Sequence, residues 1–150
     1  MQLNNLPNGR LLLDGLMMTR ERLQSGSKAA VPLPVLRVIL TVAISTLPFD
    51  QDFYLSTYPD VRDAFLSGQV AHLKLHFIEE GYLEGRFGSR PDVDEAFYKE
   101  NYPDVATAIS RGDVNSCLDH YMHAGAFEGR FANATEMQTT KRWLELLGRT

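Results

Sequence analysis

Two sets of residues at one spacing could do chemistry in this chain. They are His76, Glu84 and Arg86, and then His120, Glu128 and Arg130, each inside the string His-(x)4-Gly-(x)2-Glu-Gly-Arg-Phe. An arginine can grip a carboxylate or phosphate through two parallel N–H···O bonds, so each set could form an anion-binding ligand site. The same residues also have a structural use. Each arginine could fold back on Asp60 or Asp104 or cap a helix end, and each histidine could pack half-buried with one hydrogen bond. Glycines at 81, 85, 125 and 129 answer backbone needs rather than chemical ones and favour that use.

Other chemistry finds little support. Asp119, His120 and His123 lie close together on one helix, but their counterparts Leu75, His76 and Glu79 do not preserve a ligand set, and zinc would need a further ligand. Asp50 and Asp52 are not followed by the glycine and glutamate of a calcium loop. No glycine-rich phosphate loop, nucleophile elbow or paired-histidine zinc helix occurs. The single cysteine, Cys117, aligns with Leu73, so it reads as a small buried apolar residue. Neither a metal nor a cofactor is expected.

The elements that must position these residues come in two copies. Residues 49–89 align without a gap on residues 93–133 at an offset of 44, with 16 identities in 41 positions. A period of that size is the mark of a helical repeat unit. All 14 Phe and Tyr residues fall between Phe49 and Phe131, which places a boundary near Leu47. Net charge is −4, unevenly spread: residues 1–48 carry five basic and two acidic side chains, and residues 49–133 carry seven basic and fifteen acidic. An acidic repeat region repels phosphate backbones, which argues against nucleic acid as a partner.

In each copy the punctuation predicts three helices. Asp50 and Asp94 cap the first. Tyr58-Pro59 and Tyr102-Pro103 break the chain and start the second, and Gly68 and Gly112 end it. Val70, Leu73 and Phe77, then Val114 and Tyr121, give the third its apolar stripe, with Gly81 and Gly125 supplying a left-handed stop. Before the repeats, one amphipathic helix is predicted over Arg10 to Gln24, then a linker through Ser25-Gly26-Ser27. A second follows over Pro34 to Thr46, apolar nearly all round, whose β-branched content also admits a strand. After them, Thr135 and Gln138 have capping-box spacing for a last helix bearing Trp143, Leu144, Leu146 and Leu147.

The repeat resembles a short bacterial module with the pattern FD-x-x-YY-L-x-x-(N/Y)-PDV-x-x-A followed by HY-x-x-x-G-x-x-EGR, over residues 49–133 only. Phe77 and Lys99 depart from it, standing where tyrosine and leucine are usual. Such modules occur in tandem beside glycosyltransferase domains of surface-polysaccharide synthesis and in secreted repeat proteins. The resemblance implies an accessory role and transfers no active residue.

The expected fold is all-α: two tandem three-helix repeats, 49–89 and 93–133, flanked by an N-terminal helical segment, 1–48, and a capping helix, 134–150, with 49–150 forming one compact domain. The expected function is a non-enzymatic interaction or accessory module. It would meet a protein partner, or itself, through Val35, Leu36, Val38, Ile39, Leu40 and Val42 on the Val35–Leu47 helix. The alternative is a glycan-binding accessory using the repeated arginines and exposed tyrosines on a polysaccharide. The first ten residues lack a secretory layout, and the 35–47 run is too short to span a bilayer, so a cytoplasmic protein with no transmembrane segment is expected.

Overall fold

The computed structural model of the protein describes residues 8–26 and 28–148. The first seven residues of the leader reading, Ser27 of the linker and the last two positions of the 134–150 helix lie outside the described residues. The fold is all-α, and no strand occurs among the described residues. The chain divides into two compact units between Gly88 and Ser89. The division lies between the repeats, not at the composition shift near Leu47.

In the first unit, the single helix expected over 10–24 is two: α1 (Gly9–Gly15) and α2 (Arg20–Ser25). Gly15 weakens the helix, Met17 turns left-handed at φ 50°, and Thr19 restarts it by accepting a hydrogen bond from Arg22 N–H at 3.1 Å. A β-hydroxyl in mid-sequence competes for backbone donors and is a better cap than helix interior. Next comes α3 (Leu33–Ser45), a helix rather than a strand, with Pro34 in its first turn. Of its residues only Ile44 is buried, so a helix expected to be covered on most sides is covered on one.

Repeat 1 then runs α4 (Gln51–Thr57), α5 (Pro59–Leu66) and α6 (Leu73–His76). Asp50 caps α4 by accepting from Phe53 N–H at 3.0 Å. The third helix is not α-helical throughout. From Phe77 to Gly81 it widens into a π-turn, in which Tyr82 N–H donates to Phe77 C=O at 2.8 Å, five residues back. Ile44, Tyr54, Val61, Leu73, Phe77 and Ile78 form one buried cluster, with Phe49 and Tyr58 packed against it. The start and end of the repeat meet: Asp50 N–H donates to Gly88 C=O at 2.8 Å.

The second unit repeats this order with α7 (Glu95–Asn101), α8 (Pro103–Arg111), α9 (Cys117–His120) and a π-turn over Tyr121–Gly125. Asp94 caps α7, and Asp94 N–H donates to Ala132 C=O at 3.0 Å. Last comes α10 (Ala134–Leu146). Its cap is Asn133 and not Thr135, because Asn133 Oδ1 accepts from Glu136 N–H at 2.9 Å while Glu136 accepts from Ala132 N–H. Glu136 thus holds the start of α10 to the repeat, and Tyr121 Oη donates to the same carboxylate. No residue of α10 is buried.

Among the described residues no helix is long and apolar enough to cross a membrane.

Candidate functional site

The signature residues are held by two tyrosines four apart on one helix turn, Tyr54 and Tyr58 in repeat 1. Spacing of four puts both rings on one helix face, and they meet at 5.0 Å between centroids. Tyr54 is fully buried, and its Oη shares a hydrogen bond with His76 Nδ1 at 3.1 Å. Burial pushes its phenol up to about 12, so the O–H is present at neutral pH. The other ring nitrogen, Nε2, faces Glu80 at 3.6 Å. Repeat 2 copies the arrangement: Tyr98, fully buried, meets His120 Nδ1 at 2.9 Å and is pushed up to about 12 by burial.

Glycine at 81 and 125 has a reason other than the one its position suggested. Neither takes a left-handed φ; that conformation belongs to Gly85 at 82° and Gly129 at 75°. At Gly81 a Cβ would collide with Tyr54 Oη, and at Gly125 with Tyr98 Oη. The π-turn and the missing side chain together admit a tyrosine hydroxyl against the backbone.

Arg86 lies over the Tyr58 ring, its guanidinium carbon 5.1 Å from the centroid. Its Nη1 and Nη2 donate to the two oxygens of Asp60 at 3.0 and 2.8 Å, and its Nε to Glu84 at 2.9 Å. Arg130 does the same with Tyr102 at 5.0 Å, Asp104 at 2.9 and 2.8 Å, and Glu128 at 2.7 Å. All three guanidinium nitrogens of each arginine are therefore engaged by the protein's own carboxylates. The arginine's hydrogen bonds hold the Asp60 and Asp104 carboxyls below the usual carboxylate range. Tyr58 and Tyr102 do more than break a helix: their Oη accept from Phe87 N–H at 2.7 Å and Phe131 N–H at 2.8 Å. Sequence reasoning missed this second use, although the tyrosine and the Arg-Phe pair recur together at the same offset.

Histidine, glutamate and arginine are thus brought into one cluster in each repeat, but by different tyrosines, with the histidine on one ring and the arginine on the next. Asp119, His120 and His123 do not converge: His120 turns to Tyr98, while His123 Nδ1 pairs with Asp119 of its own helix at 3.2 Å. Among the described residues no group of three His, Cys, Asp or Glu is placed to hold a metal ion. Cys117 is 1 % exposed and burial pushes its thiol up, the opposite of a nucleophile's environment.

These contacts carry a pH signature. An Arg130→Ala variant is expected to melt several degrees below the parent at pH 7, since it loses the ring contact and leaves Asp104 and Glu128 unmatched. Asp104 titrates lower folded than unfolded. Its contribution is therefore complete above the ordinary carboxylate value near ~4 and fades as pH falls below it. Melting curves from pH 7 down to pH 3 should show the gap between variant and parent narrowing on the acid side, and Arg130→Lys should not close it at pH 7. Equal melting temperatures at pH 7 would remove the structural role.

The other exposed feature is apolar. Of the expected interface residues on α3, Leu36, Ile39, Leu40 and Val42 are 37–47 % exposed, while Val35 and Val38 are half-buried. Leu33, Leu36, Leu40 and Ile44 form one wall of a groove of about 580 Å³, and Ile78 and Leu83 form the other. At the far end of the chain Trp143 and Leu146 on α10 and Leu147 just after it are each more than 60 % exposed.

No protein-family model, curated protein or solved structure matches this chain. The site therefore rests on its own geometry. Internally satisfied Tyr–His and Tyr–Arg–Asp clusters stabilise each repeat, and the exposed apolar side chains lie on α3 and toward the end of α10.

Proposed function

We propose that this protein is a non-enzymatic interaction module, an adaptor that docks on a protein partner through the outer face of α3. The observation that supports this reading is the exposure of Leu36, Ile39, Leu40 and Val42 on a thirteen-residue helix that buries only Ile44. A contiguous apolar face of this kind is unfavourable in water and marks a surface that is covered when the protein works. The likeness of residues 49–133 to modules found beside glycosyltransferases suggests surface-polysaccharide synthesis as the setting. Glycan binding by Arg86 and Arg130 is the weaker reading, because each would first have to leave two carboxylates and a ring.

The test is capture from the native host's extract with the parent and with a Leu36→Glu/Val42→Glu variant. Both side chains are exposed, Leu36 in the wall of the groove and Val42 outside its lining, so the variant is expected to keep the parent's melting temperature and lose the captured partner. The same partner retained by both proteins would overturn the proposal.

A further inference from the structure

The surface that receives α3 in repeat 1 has a counterpart in repeat 2. In repeat 1, Ile78 on the π-turn is 8 % exposed and shares a buried cluster with Ile44 of α3. The offset of 44 carries Ile78, Glu79, Glu80 and Leu83, which line the α3 groove, onto Met122, His123, Ala124 and Phe127. It carries Ile44 onto Gly88, so no residue of an apolar helix stands before repeat 2 where α3 stands before repeat 1. Met122 is only half-buried, where Ile78 is buried, and Phe127 is 67 % exposed. The exchange of two glutamates for histidine and alanine also makes this copy of the surface the more apolar one.

We infer that the Met122–Phe127 face of repeat 2 receives α3 of a second copy of this chain. The inference rests on the reading of α3 as the docking helix and names its partner. Three observations single out a second copy. The equivalent surface in repeat 1 already takes this same helix. In its own chain α3 turns Leu36, Leu40 and Ile44 toward Ile78 and Leu83, and keeps Ile39 and Val42, which line no part of that groove, for another surface. Charge favours the pairing as well. Residues 1–48 carry five basic and two acidic side chains, a balance of +3, whereas residues 93–133 carry three basic and seven acidic, a balance of −4. The contact joins two different patches, so each copy offers one donor helix and one receiving face.

The distinguishing experiment is light scattering on the purified full chain across a concentration series, with Ile39→Glu and Phe127→Glu variants alone and mixed. The parent's mass should rise with concentration. Each variant should stay monomeric with unchanged melting temperature, its association weakened roughly tenfold or more. An equal mixture should recover a one-to-one complex, because the Phe127→Glu chain still has a good helix and the Ile39→Glu chain a good receiving face. If Phe127→Glu melts early, Phe127→Ser supplies the same comparison. A parent that stays monomeric overturns the inference, as does association that survives Phe127→Glu. So does a mixture that forms no complex, which would point to a contact of like with like. None of these outcomes touches the proposed docking role of α3, which stands or falls on capture by the Leu36→Glu/Val42→Glu variant.

Discussion

Alanine at position 125 is expected to destabilise the protein by about 2–3 kcal/mol, roughly 5–10 °C in melting temperature. In a chain that already carries phenylalanine at position 98, the same alanine should cost less than half as much. The added methyl would occupy space held by Tyr98 Oη and would stand 3.2 Å from His120 Nδ1. The phenol has nowhere to go: its ring is fully buried, 4.8 Å from the Tyr102 ring and 6.1 Å from that of Tyr121. Tyr98→Phe alone removes the hydroxyl and its bond to His120, at a cost of about 1–2 kcal/mol for the imidazole nitrogen left without its partner. In that background the methyl meets a ring carbon rather than an oxygen, and Gly125→Ala should cost less than half as much. A thermal or urea double-mutant cycle measures the coupling. Strict additivity would refute the close-approach account and return Gly125 to an ordinary backbone role.

Tyr54→Ala is expected to be the most damaging single change in repeat 1, at about 3–5 kcal/mol. The ring sits among Phe49 at 5.3 Å, Tyr58 at 5.0 Å, Phe77 at 5.8 Å and His76 at 6.0 Å, so its loss opens a cavity at the centre of the cluster. His76 Nδ1 loses its hydrogen-bond partner in the same step. Urea unfolding should show the midpoint falling with the slope retained, as for a stability change without a change in exposed surface. Leu66→Ala, at a side chain 76 % exposed, is the control and should shift stability by less than about 0.5 kcal/mol. If the two variants behave alike, the buried cluster does not hold the repeat together.

What could be read from the residues was local. Asp50 and Asp94 as caps, Pro59 and Pro103 at the first turn of a helix, and Gly68 and Gly112 after its end all came from signals acting within a few positions, and the structure has each of them. Cys117 and Leu73 as interchangeable apolar positions followed from the alignment and are both buried. The errors have a common cause in contacts made across sequence. Gly81 lies 27 residues from the tyrosine hydroxyl that excludes its side chain, so its spacing suggested a left-handed stop that Gly85 provides instead. Tyr58 reaches Phe87 N–H across 29 positions, which no helix signal announces. At α10 the capping-box spacing of Thr135 lost to Asn133, because Glu136 is engaged by Tyr121 and Ala132 as well as by the cap. The arginines were legible as a choice between ligand and carboxylate, and Asp60 and Asp104 were named beforehand; the ring beneath each arginine was not.

The hydrogen bond from Asp50 to Gly88, and its counterpart from Asp94 to Ala132, brings the first and last residues of each repeat together. Its polar signature contacts also close inside it, Arg86 on Asp60 and Glu84, Arg130 on Asp104 and Glu128. A segment built this way carries its signature contacts with it. Genetic duplication of one whole segment leaves those contacts complete in each copy, whereas loss of repeat 2 would also strip Glu136 of Tyr121 and Ala132. Copy number in such a chain is therefore free to rise in single steps, and the two copies here are one value that this construction allows.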